Sequence, residues 1–257
     1  MDKTKPCYLF FDYDGTVYVD KMIPEETLQA MIAAQAMGHK LIMNTGRSWG
    51  EAAYNPFAFT VIPWDGTVCG GGDIRWGGKM LVEHTVSRAE AVKWMNWAMK
   101  HRYLFIIGGQ HKRVDFEFPQ HVGDFTDADR AENFAKLDAV MAENPATKLT
   151  LLPGLAEDAV IPETKLTLIS MDHYVDLFAP GCDKGRTIRE FCEVMGVELD
   201  QCVCFGDSEN DVDMFRVCPT SIAMKHAPKC LTDLATYHAQ TDRGVVEGLN
   251  WLFGIEV

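Results

Sequence analysis

The sequence predicts an α/β protein, a core built on a parallel sheet and interrupted by a separate α+β domain. Three observations carry that expectation. Short apolar runs, CYLFF before Asp12, KLIMN before Thr45 and QCVCF before Gly206-Asp207, each end abruptly in polar residues. Runs of that length read as strands buried in a parallel sheet. Between the first two lies PEETLQAMIAAQAMG, with proline and acids at its start, apolar residues at helical spacing and Gly38 as a stop, which makes a strand-helix-strand unit. From Leu81 to about Pro180 a fresh pattern intervenes before the first one resumes.

The stretch from Trp64 to Lys79 is glycine-rich and reads as turns and a hairpin, with Gly70, Gly71 and Gly72 as a turn or hinge. Within the inserted segment SRAEAVKWMNWAMKH and DADRAENFAKLDAVMAE are helix-like, and YLFII, KLTLL and KLTLI are strand-like. Trp94 and Trp97, three apart on the first helix, are expected to cover its sheet. After Gly181 come a helix from about Lys184 to Met195, the QCVCF strand, a short helix after Glu209 and a last helix near Gly244 to Trp251. The expected division is a core of residues 1–80 and 181–257 and an inserted domain of residues 81–180. Its two connections, near Trp76 to Val82 and Phe178 to Lys184, contain glycine or proline and are the expected hinges.

Composition narrows the function classes. An apolar fraction of 47% and a charged fraction of 24% over 257 residues are ordinary for a soluble globular chain. With 24 Lys and Arg against 37 Asp and Glu, the net charge of −13 repels phosphate backbones and argues against broad nucleic-acid binding. An anionic small substrate then needs a local positive charge, such as a metal. The apolar run in MDKTKPCYLFFD is too short for a signal peptide and no membrane span follows, so a cytoplasmic location is expected. Eight scattered cysteines, without a CxxC pair or zinc-like spacing, read as reduced thiols, and Cys202 and Cys204 as filling of a buried strand.

In open parallel sheets the ligand site forms beyond the carboxyl ends of the strands, where all three polar clusters fall. Asp12-Tyr13-Asp14-Gly15-Thr16 puts two carboxylates two apart at a strand end, followed by glycine where the chain turns. A carboxylate is a competent nucleophile toward phosphorus, which suits Asp12, and Asp14 suits the general acid that protonates the leaving alkoxide and later activates water. Asn44-Thr45-Gly46-Arg47 offers a hydroxyl and backbone N–H groups to phosphoryl oxygens. Arg47 touches substrate or braces the loop, and the second role is favoured. Gly206-Asp207-Ser208-Glu209-Asn210-Asp211 adds oxygen ligands for a hard cation such as Mg²⁺, with helix capping as the alternative. Lys184, in CDKGRT, supplies the compensating cation that several carboxylates around one phosphate require.

These four clusters, in this order, resemble the motifs of the haloacid dehalogenase superfamily. An insertion between the second and third resembles its Cof-type subfamily with a class IIB cap, and the likeness covers nearly the whole chain. It implies a Rossmann-like, doubly wound core and a mobile α+β cap. It also implies Asp12 as nucleophile, with Mg²⁺ held by Asp12, the Asp14 backbone carbonyl and Asp207. Thr45 with Gly46, Lys184 and Asn210 would serve the phosphate, and Asn210 and Asp211 would position Lys184 and the metal waters. One departure stands out: Met224-Lys225-His226-Ala227 replaces the usual Met-Gly-Asn-Ala.

The expected function is Mg²⁺-dependent hydrolysis of a small phosphorylated metabolite, a sugar phosphate or similar, through an aspartyl-phosphate. A sugar phosphomutase of the same fold and a catalytically silent regulatory module are the alternatives. His111-Lys112-Arg113 is a cationic candidate for gripping substrate, with a solvated hairpin tip the simpler reading. The sequence sets no oligomeric state.

Overall fold

The computed structural model describes residues 5–54, 61–70, 72–118 and 125–257. The first strand, β1 (Tyr8–Phe11), leads through α1 (Glu25–Ala36) to β2 (Lys40–Thr45), which pairs parallel to it with Phe11 opposite Met43. A six-residue helix, α2 (Trp49–Tyr54), follows. Then come β3 (Gly66–Cys69), β4 (Asp73–Trp76) and β5 (Lys79–Glu83), of which β3 pairs parallel to β2 and the other two extend the sheet antiparallel.

The chain next enters a second sheet. Helix α3 (Arg88–His101) precedes β6 (Leu104–Gly109) and β7 (Arg113–Phe116), and α4 (Asp127–Glu143) precedes β8 (Ala146–Leu152), β9 (Thr167–Ser170) and β10 (Val175–Phe178). Their order is β7-β6-β8-β10-β9, antiparallel throughout. Trp94 and Trp97 pack with Phe105, Leu149 and Leu177 under α3, as their spacing predicts. Ser87 and Thr126 cap the two helices, each side chain accepting a backbone N–H.

The core resumes with α5 (Lys184–Met195), β11 (Cys202–Gly206), α6 (Val212–Val217), β12 (Thr220–Ala223), α7 (Lys229–Thr232), β13 (Tyr237–His238) and α8 (Gly244–Phe253). The core sheet reads β13-β12-β11-β1-β2-β3-β4-β5. Because β1 is buried on both faces, alternate residues serve two cores. Leu9 and Phe11 pack with α1 and α8, whereas Phe10 packs with Ile188 and Phe191 of α5 and with α6. Helices on both faces of a largely parallel sheet make the fold α/β and doubly wound, as expected. Cys202 and Cys204 fill the buried β11, and the eight cysteines form no disulfide.

Two sequence expectations shift. The core sheet ends at Glu83 rather than at residue 80, because Ile74 pairs with Val82 and Trp76 with Lys79 across a turn made by Gly77 and Gly78, both at positive φ. The Trp76–Val82 segment is thus a hydrogen-bonded hairpin of the core. The connection to the second sheet runs instead over residues 84–87, with His84 Nε2 2.8 Å from Glu190 Oε2 of α5. Gly70 turns at φ +56 as expected, while Gly71 lies outside the described residues.

Candidate active site

The parallel register places Asp12, Thr45 and Gly206-Asp207 together at the carboxyl edge, since Phe11 stands level with both Met43 and Phe205. Asp12 extends the ladder, its N–H donating to Phe205 O at 2.9 Å, and its side chain is buried. Gly15 then turns at φ +88 against Asp207, where any Cβ would collide with the carboxylate. Thr16 Oγ1 donates to Asp207 Oδ1 at 2.9 Å, tying the first cluster to the fourth.

Lys184 is the first residue of α5, held there by Asp183, whose carboxylate accepts from the N–H groups of Gly185 and Arg186 at 2.8 and 2.7 Å. Its Nζ donates to Asp12 Oδ1 at 2.5 Å, Asp211 Oδ1 at 2.6 Å and Asn210 Oδ1 at 3.1 Å, so all three ammonium hydrogens find an acceptor. Asp211 is fully buried, and its Oδ2 accepts from the N–H groups of Asp207 and Ser208 at 2.9 and 3.1 Å. With both oxygens engaged, Asp211 braces the loop and Lys184.

The carboxylates of Asp12, Asp207 and Asp211 approach within 4.8 Å of one another. Burial pushes Asp12 well above the usual carboxylate range, and Asp211 and Asp207 add to the shift against the pull of Lys184. Burial and Asp211 likewise raise Asp207. Burial alone would lower Lys184, but Asp12 and Asp211 outweigh it and raise the ammonium above its ordinary value. Three carboxylates against one ammonium leave two negative charges in excess. That surplus, presented by oxygen donors, fits a hard divalent cation.

Asp14 turns its half-exposed carboxylate to Arg47, which grips it bidentately through Nε at 2.8 Å and a terminal nitrogen at 2.7 Å. Arg47 therefore braces the first loop. Thr45 is buried, its Oγ1 accepting from the Arg47 N–H at 3.2 Å. Of the departing segment, Lys225 pairs with Asp242 at 3.0 Å, whereas His226 Nε2 comes within 3.5 Å of Asp207 Oδ2.

A cavity of about 310 Å³ opens over these groups, walled on one side by Asp12, Asp14, Thr45, Gly46 and Asp207 and on the other by the second sheet. Its size suits a small metabolite. Of the cationic trio at the β6–β7 turn, Arg113 reaches the cavity wall, while His111 and Lys112 are exposed. Sequence reasoning missed the opposite wall, formed by Glu51, Lys148, Thr150, Tyr174 and Asp176. The available signal was the alternation in KLTLL, which puts Lys148 and Thr150 on one face of an otherwise apolar strand.

Among the described residues, no helix is long and apolar enough to cross a membrane. A chain at 22% identity over 98% of this one and 100% of its own length is the 5-amino-6-(5-phospho-D-ribitylamino)uracil phosphatase YitU of Bacillus subtilis. A phosphoglycolate phosphatase of Methanosarcina acetivorans is 30% identical over 33% of this chain, and the match spans only 38% of that relative's length. The solved sugar phosphatase BT4131, of haloacid dehalogenase subclass IIB, superposes with a TM-score of 0.73 at 21% identity over 96% of this chain and 99% of its own. The family model for haloacid dehalogenase-like hydrolases matches residues 9–249, and the chain belongs to that family.

Proposed function

We propose that the protein is a Mg²⁺-dependent phosphatase that hydrolyses a small phosphorylated metabolite through an aspartyl-phosphate on Asp12. The observation that carries this reading is the buried Lys184 bridge, which holds Asp12, Asn210 and Asp211 in one constellation at the floor of the cavity, with Asp207 beside them. Asp12 attacks phosphorus while the ester oxygen departs with the proton of Asp14. Asp14, now a carboxylate, takes a proton from the water that attacks the phosphoenzyme, and inorganic phosphate leaves. Arg47 braces the ionised Asp14 through both of its oxygens, and this grip has to loosen when Asp14 carries the proton. Thr45, the Gly46 backbone and Lys184 bind the phosphoryl oxygens.

Mg²⁺, held by Asp12, Asp207 and the Asp14 carbonyl, would supply the positive charge that lets a phosphate approach three carboxylates. The second sheet with its helices, residues 84–180, serves as the cap that excludes water and selects the leaving group. The activities for which the relatives are named, on a phosphorylated ribitylamino compound and on sugar phosphates, support a metabolite of that size. A panel of phosphorylated metabolites assayed with Mg²⁺ for free inorganic phosphate tests the reading. Turnover that falls by about 10³-fold or more in the near-isosteric Asp12→Asn supports it, and an active Asp12→Asn refutes it.

A further inference from the structure

The cap wall of the cavity is built from charged groups that the chemistry at Asp12 does not use. Lys148 and Thr150 lie two apart on β8, so both face the cavity, and Asp176 on β10 is the register partner of Thr150. All three are buried, at 6%, 7% and 5% exposure. Lys148 Nζ donates to Asp176 Oδ2 at 3.0 Å and stands 3.3 Å from Glu51 Oε2 of α2, while Thr150 Oγ1 donates to the other oxygen of Asp176. Its stem lies across Gly108 of β6, where a Cβ would come within 2.9 Å of Lys148 Cγ. Asp176 also overhangs the phosphate loop, since a Cβ on Gly46 would sit 4.0 Å from its Oδ2. A leaving group bound through its ester oxygen at the floor therefore meets Asp176 and Lys148 with its first carbons.

The charge balance on this wall says what those carbons carry. Glu51 and Asp176 outnumber Lys148, and Arg113 is held bidentately by Asp115 at 2.7 and 2.9 Å. No surplus positive charge remains there among the described residues, so a second anionic group has no counterion and meets carboxylates instead. Hydroxyl groups, by contrast, can donate to a carboxylate and accept from an ammonium at once. Ile106, Leu152 and Met171 complete the wall with an apolar patch for C–H faces.

Resting on the phosphatase reading, we infer that Asp176, Lys148 and Thr150 form a hydroxyl-reading subsite. It selects phosphate esters of uncharged polyols or sugars and rejects leaving groups that bear a carboxylate or a second phosphate. Glu51 also accepts from Ser48 N–H and Oγ to cap α2, so it is left unaltered in the test.

The experiment measures kcat/KM for sorbitol 6-phosphate, phosphoglycolate and p-nitrophenyl phosphate in the unmodified enzyme, Asp176→Asn and Lys148→Met. The unmodified enzyme is expected to favour sorbitol 6-phosphate over phosphoglycolate by about a hundredfold or more. In Asp176→Asn the ratio of sorbitol 6-phosphate to p-nitrophenyl phosphate falls by about tenfold or more, because p-nitrophenol offers no hydroxyl donor to lose. The ratio of phosphoglycolate to p-nitrophenyl phosphate rises in the same variant. Lys148→Met is expected to lower the ratios of both sorbitol 6-phosphate and phosphoglycolate to p-nitrophenyl phosphate, because it removes a hydrogen-bond donor and leaves Glu51 and Asp176 without their cation. Equal losses on all three substrates assign the cluster to holding cap and core together and overturn the subsite, as does an unmodified enzyme that prefers phosphoglycolate. If none of the three esters is hydrolysed, the phosphatase reading itself fails, which is a separate result.

Discussion

Lys184→Met removes the one ammonium that bridges the acidic cluster while keeping most of the side-chain volume. At an effective dielectric of about 20 and a separation of 2.5 Å, its attraction to Asp12 is worth about 6.6 kcal/mol, and that to Asp211 at 2.6 Å is similar. Against this stands the cost of burying three charges, several kcal/mol each, so the bridge is nearly balanced when intact. Cutting it leaves both carboxylates buried without their cation, which costs about 3–5 kcal/mol. That is a large share of a domain's total of about 5–15 kcal/mol. The variant also raises the excess of negative charge from two to three, so Mg²⁺ should stabilise it more than it stabilises the parent. Urea unfolding of both proteins, with EDTA and with Mg²⁺, measures each quantity. A loss below about 1 kcal/mol in EDTA, or equal stabilisation of both proteins by Mg²⁺, would mean that Lys184 is not the cation that balances the cluster.

Chelation with EDTA should abolish turnover, and Asp207→Ala should raise the Mg²⁺ concentration needed for half-maximal activity by about tenfold or more, read from a metal titration. Arg47→Lys keeps the charge but not the two-pronged grip on Asp14, so kcat should fall by about 10- to 100-fold with little change in the unfolding midpoint. His39 is buried, accepts the Cys7 N–H on Nδ1 at 3.1 Å, and is held below its ordinary value of 6.5 by burial. The unfolded chain therefore binds a proton there that the folded one resists, so this stability is complete above pH 6.5 and shrinks as the pH falls below it. His39→Gln should flatten the loss of stability as the pH falls below about 6.5, and an unchanged slope in urea unfolding counts against the assignment.

The floor of the site was legible because each cluster closes an apolar run, and in a parallel sheet the carboxyl ends of neighbouring strands must share an edge. Asp12, Thr45 and Asp207 needed no knowledge of which strand pairs with which. The cap wall did need it. Lys148 and Asp176 meet because β8 and β10 are neighbours, and Glu51 joins them because α2 packs against β6, neither of which the local pattern encodes. The hinge expected at Trp76 to Val82 failed for a related reason. Glycines mark a place where the chain can turn, and only the pairing of β4 with β5 shows that this turn is locked in a sheet. Arg47 was legible as a brace, but its partner Asp14 lies 33 residues away, and that pairing follows from β1 and β2 lying side by side.

As the nucleophile, Asp12 carries the phosphoryl group between the two half-reactions, where an Asp14 variant can trap it. Asp14→Asn lacks the base for the second half-reaction, while p-nitrophenyl phosphate needs little help in the first because its leaving group is already acidic. Mixing this variant with p-nitrophenyl phosphate and Mg²⁺, quenching in acid and digesting should yield the peptide around Asp12 heavier by one phosphoryl group. That label should be lost on treatment with hydroxylamine and absent from the Asp12→Asn, Asp14→Asn double variant. A burst of p-nitrophenol without label on that peptide, or label that persists in the double variant, would mean that Asp12 is not the nucleophile.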